Sequence, residues 1–156
     1  VSCPNAGDGR TFEDPEALPD LLRAVDAVRG GKPWLVKLSP DLSDDLLAEL
    51  VDLAVAAGVS GFTASNTSVD RSGLRSAGLE SIGPGGLSGA PIRERALATV
   101  ARIRARTDLP IVGVGGISDG ADARRFLDAG ATLVQLYTGF IYGGPLIVRR
   151  ICAHLA

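Results

Sequence analysis

At 156 residues, with 46% hydrophobic and 22% charged side chains, the chain has the composition of a globular domain large enough to bury a core. A formal net charge of −2 offers no electrostatic footing for nucleic acid or an anionic membrane surface. No apolar run approaches the roughly 18 residues a membrane span requires, and Cys3 and Cys152, far apart in sequence, read as thiols of a reducing cytoplasm rather than a disulfide framework.

In chain order, short aliphatic and β-branched runs alternate with helical patterns, which argues for parallel βα units. The chain opens on Ser2-Cys3-Pro4-Asn5, a proline-stiffened string just after what reads as the end of a strand. Leu18, Leu21, Leu22, Val25 and Val28 then recur at helical spacing. A strand is expected over 34–39, followed by a helix through Leu46, Leu47, Leu50, Leu53 and Ala54. Ser43 suits that helix as N-cap, with two aspartates behind it. Further strands are expected over 61–65, 110–114 and 132–137, and helices over 92–106, 120–129 and 145–155. The strands are apolar nearly throughout, the pattern of strands buried on both faces.

Ala57-Gly58-Val59-Ser60-Gly61-Phe62 and Ala129-Gly130-Ala131-Thr132-Leu133-Val134 repeat one junction, a helix ended by Gly and followed by a strand. The repeated module predicts a (β/α)8 TIM barrel, but a complete barrel takes about 250 residues. Four strands and the tail of a fifth make the C-terminal half, with residues 1–156 as one partial barrel domain. The absence of methionine, Val1 included, agrees with a piece of a longer protein. Unpaired barrel edges would invite association, so a homodimer closing a barrel from two halves is a further expectation.

Several residues stand out against this background. Lys37 lies inside an apolar strand, where a charge is costly unless it is paired, faces a ligand or snorkels from the strand end. Asn5 and Asn66 carry groups that both donate and accept, suited to a polar ring, though either could simply be a turn residue. Residues 68–90 form a long glycine-rich stretch after a strand, on the face where barrel active sites collect. Gly113-Val114-Gly115-Gly116 and Leu136-Tyr137-Thr138-Gly139 end the last two strands, where barrels commonly hold phosphate. Ser118 stands where a dinucleotide fingerprint would need its third glycine. His154, near the end of an amphipathic helix, reads as a surface residue; Cys152 reads as packed in or near the core, and Trp34 as packing. No His/Cys/Asp cluster has metal-ligand spacing.

Taken together, Ser2-Cys3-Pro4-Asn5, Val36-Lys37-Leu38-Ser39-Pro40, Ser65-Asn66-Thr67, Gly85-Gly86-Leu87-Ser88-Gly89, Gly113-Val114-Gly115-Gly116 and Leu136-Tyr137-Thr138-Gly139 resemble the dihydroorotate dehydrogenase family, in the family's order. The resemblance implies oxidation of dihydroorotate to orotate in pyrimidine synthesis, with flavin mononucleotide (FMN) as cofactor. It implies Cys3 as the base, a role open to a thiol of ordinary pKa about 8.5 after modest depression. It also implies Asn5, Asn66 and Thr67 on the substrate. Lys37, Ser65, Ser88, Gly89, Gly115, Gly116, Tyr137 and Thr138 would hold the flavin, Lys37 near the ring.

Asn66-Thr67-Ser68-Val69-Asp70-Arg71 and the Leu136–Phe140 stretch resemble the quinone-linked class, whereas Cys3 matches the soluble class, which usually has Cys where the other has Ser. The resemblance therefore implies a quinone or a soluble molecule as acceptor, and a whole protein that is cytoplasmic or peripheral on the cytoplasmic membrane. The dihydropyrimidine dehydrogenase group shares Ser-Cys-Pro but tends to carry His where this chain has Asn5. Another phosphate-binding barrel, or a non-catalytic half-barrel, are the remaining alternatives.

Overall fold

Four short strands and six α-helices follow one another in a computed structural model that describes residues 1–2 and 11–156. In chain order they are α1 (Leu18–Val28), β1 (Leu35–Leu38), α2 (Asp44–Ala56), β2 (Gly61–Ala64), α3 (Arg93–Arg104), β3 (Ile111–Val114), α4 (Gly120–Asp128), β4 (Leu133–Gln135), α5 (Thr138–Gly143) and α6 (Ile147–Leu155). The strands are all parallel, in the order β1-β2-β3-β4. Each crossover carries at least one helix, as a parallel sheet requires. This is the half-barrel architecture expected from the sequence, without the expected tail of a fifth strand: Val1 and Ser2 belong to no strand.

Register sorts the side chains. Lys37 pairs with Thr63, Thr63 with Val112, and Val112 with Leu133, so these four share one row on one face. The opposite face carries Val36, Leu38, Phe62, Ala64 and Ile111, all buried. Against it pack Leu47, Leu50, Val51 and Ala54 of α2, Val100 and Ile103 of α3, and Phe126 of α4. Gly113 leaves room for that packing: a Cβ there would come within 2.6 Å of the Phe126 ring.

The expectation of strands buried on both faces needs correction. Leu35 is 44% exposed and Leu133 62%, and Lys37 and Gln135 are exposed beside them. In a barrel, that face is covered by strands from across the barrel. Among the described residues no layer lies over it, and β1 and β4 each pair on one side only.

Helix ends follow ordinary chemistry. Ser43 caps α2, its Oγ accepting from the Leu46 N–H at 3.3 Å. Asp119 caps α4 in the same way through the Asp122 N–H, at 2.8 Å. α5 is a helix the sequence pattern did not announce. Cys152 is exposed rather than near the core. α6 buries Ile147 and Ile151, four residues apart, and a residue one step from Ile151 is rotated about 100° off that stripe. His154 is exposed, as expected, and Trp34 packs against the core with the Arg29 guanidinium over its ring.

The 68–90 stretch is not a free excursion. Its ends meet in an antiparallel bridge between Ser68 and Leu87, and Arg71 donates to the carbonyls of Gly83 and Gly85. The Ala64–Ser65 peptide is cis.

Candidate active site

The loops leaving the C-terminal ends of all four strands surround one cavity of about 560 Å³. That lies within the roughly 300–1,000 Å³ of small-molecule and cofactor sites. Its wall contains Lys37 from β1, then Ser65, Asn66 and Thr67 after β2, and Ser88 and Gly89 from the end of the long loop. Gly115 and Gly116 after β3 and Tyr137 and Thr138 after β4 complete it. Ten of the twelve residues singled out from the sequence thus meet at one place. The other two, Cys3 and Asn5, lie outside the described residues.

Local bonding shows what each wall residue is free to do. The Asn66 carboxamide donates through Nδ2 to the Ser2 carbonyl at 2.9 Å and to Ser2 Oγ at 3.2 Å. Those bonds orient the amide and tie the second strand's loop to the N-terminal segment, and Ser2 itself lines the cavity. Ser65 is buried, and its hydroxyl donates to the Asn66 carbonyl at 3.0 Å, so it shapes the turn. Ser88 and Thr138 exchange a hydroxyl hydrogen bond of 2.8 Å between the long loop and the start of α5. Tyr137 is 75% exposed at the cavity mouth.

Glycine is required where these loops converge. Gly89 has φ +81° and Gly116 φ +72°, a region that L side chains rarely adopt. A Cβ on Gly116 would also stand 2.7 Å from the Gly89 carbonyl oxygen, and one on Gly89 2.9 Å from Thr138 Cγ2. The two loops approach backbone to backbone.

Behind them, Arg93 at the start of α3 donates through Nε to the Gly116 carbonyl at 2.8 Å. Its Nη2 pairs with the buried Asp122 carboxylate. Near the N-terminal segment, Glu13 accepts from the Ser39 N–H. Burial pushes its carboxyl above the ordinary 4.5, partly offset by hydrogen bonds from Ser39 and Ser2. Among the described residues no group of acidic, His or Cys side chains is placed to hold a metal ion.

Sequence reasoning missed Gln135, Arg93 and Asp122. Gln135 lines the cavity from the end of β4 and faces the open side with Val114, its register partner. A polar residue inside an otherwise apolar run was the available signal, the same one that drew attention to Lys37. Arg93 and Asp122 are ordinary helix residues in sequence, and only the fold brings them to the glycine loop.

The profile of the family described as "Dihydroorotate dehydrogenase" matches residues 1–156. A dihydroorotate dehydrogenase (quinone) of Leifsonia xyli is 47% identical over 160 residues, covering 100% of this chain and 47% of that protein. One from Salinispora arenicola is 48% identical over 159 residues, covering 98% of this chain and 45% of that protein. The chain thus spans just under half the length of these relatives. A crystal structure of the Eimeria tenella enzyme in complex with ferulenol superposes with a TM-score of 0.88 at 30% identity, over 99% of this chain and 47% of that one.

Proposed function

Since the chain belongs to the dihydroorotate dehydrogenase family, we propose that it supplies the C-terminal half of a flavin-dependent barrel that oxidises dihydroorotate to orotate in pyrimidine synthesis. The observation that carries this reading is the convergence of ten expected site residues, from four separate βα units, on one cavity at the strand ends.

The wall suits FMN. Gly89 and Gly116 bring two stretches of backbone together where a phosphate can be approached closely, and Ser88 and Thr138 put hydroxyls beside them. Lys37 projects from the open face of β1 into the cavity wall, where its ammonium would contact a bound flavin. When bound, FMN accepts the hydride that leaves the substrate.

The chain's own residues do the rest. Asn66, oriented by Ser2, and Thr67 hold the pyrimidine ring through its alternating carbonyl and N–H groups, together with Asn5. Cys3 takes the proton from the ring carbon adjacent to the one that loses hydride, so dihydroorotate gives up one proton and one hydride and a carbon–carbon double bond forms. With FMN bound, the Lys37 ammonium would steady negative charge developing on it.

Quinone is the acceptor we infer, because the relatives carry that name. No helix among the described residues is long and apolar enough to cross a membrane. The test is steady-state turnover of the whole protein with dihydroorotate and a short-chain quinone, with fumarate and NAD as comparison acceptors. Orotate formation with quinone supports the reading; orotate formation only with a soluble acceptor overturns the acceptor, and none with any of them overturns the activity.

A further inference from the structure

Ser68 follows the two residues assigned to substrate and takes no part in the cavity wall itself, yet it is only 1% exposed and is hydrogen-bonded on every side. Its N–H donates to the Leu87 carbonyl at 3.0 Å and its carbonyl accepts from the Leu87 N–H at 2.7 Å. Its hydroxyl donates to Asp41 Oδ1 at 2.7 Å and accepts from the Asp70 N–H at 3.0 Å and from Arg95 Nη1 at 3.3 Å. Asp41, in the loop after β1, also accepts from the Val69 N–H at 2.7 Å and from Arg95 Nη1 at 3.0 Å. Arg95, on α3, closes the network on the Asp70 carboxylate.

Thr67 precedes Ser68 and Ser88 follows Leu87, so the paired backbone bonds fix the substrate edge of the cavity against the flavin edge with no intervening residue on either side. The Asp41 and Arg95 contacts set the bridge's position relative to β1, which carries Lys37, and to α3, which follows Gly89. A bridge held only by two backbone bonds at the mouth of a glycine-rich loop would open readily. The buried hydroxyl, saturated by a carboxylate, a guanidinium and a backbone N–H, keeps it shut.

We propose that Ser68 is a positioning residue: clamped by Asp41 and Arg95, it holds Asn66-Thr67 against Ser88-Gly89 at the separation hydride transfer needs. This rests on the reading of the cavity as a dihydroorotate and flavin site. Small misplacement of reacting groups lowers rates steeply, a displacement near 1 Å by up to about 100-fold.

The experiment compares the whole protein with its Ser68→Ala variant in three measurements: anaerobic flavin reduction by saturating dihydroorotate, reoxidation of the reduced flavin by quinone, and hydrogen exchange at the amides of Asn66, Ser68 and Leu87. Reduction is expected to slow by about tenfold or more, reoxidation to stay within about twofold, and the three amides to exchange faster together. Reduction within twofold of the parent overturns the proposal, as does equal slowing of both half-reactions, which would mark a purely structural serine. If Ser68→Ala does not fold, Asp41→Asn loosens the same clamp while keeping the serine, and the same criteria apply. If dihydroorotate fails to reduce the parent protein, the functional reading fails by itself. Hydrogen exchange then decides the clamp: joint loss of protection at the three amides upholds it, and unchanged protection overturns it.

Discussion

Arg93 Nη2 and Asp122 Oδ2 lie 3.0 Å apart, a buried carboxylate and a half-buried guanidinium that together brace the glycine loop after β3 from behind. Asp122 also accepts from the Ser118 N–H at 3.0 Å and from the Ser118 hydroxyl at 2.7 Å. Arg93 meanwhile holds the Gly116 carbonyl. One carboxylate thus organises both the loop and the cation that grips it. Asp122→Ala would take from the half-buried guanidinium and the Ser118 N–H their shared carboxylate, at a cost of about 2 kcal/mol in folding stability. Urea unfolding should show that loss, and FMN titration should show weaker binding, with Asp122→Asn intermediate in both.

Gly116 and Gly58 make a matched pair of tests. Both have positive φ, +72° and +77°, but a Cβ on Gly58 meets nothing within 4 Å, whereas one on Gly116 meets the Gly89 carbonyl. Gly58→Ala should therefore cost only the left-handed strain, about 1 kcal/mol, with flavin binding unchanged. Gly116→Ala adds a backbone clash at the cavity, so its flavin affinity should fall at least tenfold. Equal flavin affinities for the two variants would show that the glycine loop does not touch the cofactor.

Lys37 is exposed on the open face of β1, and no ion pair or hydrogen bond of its side chain is found among the described residues. Replacing it with Met should leave stability within about 0.5 kcal/mol. Stopped-flow flavin reduction should nevertheless slow by about tenfold or more if the ammonium faces developing negative charge. A stability loss with unchanged reduction would return Lys37 to a structural role.

Glu13 gives the expected pH dependence. Its carboxyl is raised above 4.5 chiefly by burial, so the folded state holds the proton more tightly than the unfolded chain does. Its stabilising contribution is therefore complete below 4.5 and lost as pH rises through the raised value. Glu13→Gln should remove that fall: denaturation midpoints measured against pH should decline less for the variant from about 4.5 upward. Parallel profiles for the two proteins would contradict the shift.

Much of this architecture is legible in the sequence because it rests on repeated local patterns. The runs around Val36, Phe62, Ile111 and Val134 are compact and β-rich, and each falls on an observed strand. The long amphipathic helices show their period over enough residues to be read. α5 spans six residues and ends in glycine, too short for periodicity to declare itself. Burial on the open face was overread because an apolar strand tells how it would like to be covered, not what covers it. Cys152 was misplaced for a related reason: one apolar residue near a helical stripe does not belong to it. At the site, Lys37, Asn66 and the glycine motifs after β3 and β4 stood out by residue type and position, and the resemblance to the family supplied the remaining wall residues. Ser68, Asp41, Arg93 and Asp122 did not stand out, since their roles depend on contacts between distant segments made of common polar residues.

The central claim is that this cavity brings flavin and dihydroorotate together, and an anaerobic visible spectrum of the whole protein tests it most directly. The protein is loaded with FMN and recorded before and after addition of dihydroorotate, alongside a Cys3→Ala variant. The account predicts bleaching of the flavin band in the parent, and retained but unbleached flavin in the variant. A parent that binds flavin but stays fully oxidised with dihydroorotate, or that retains no flavin, would contradict it.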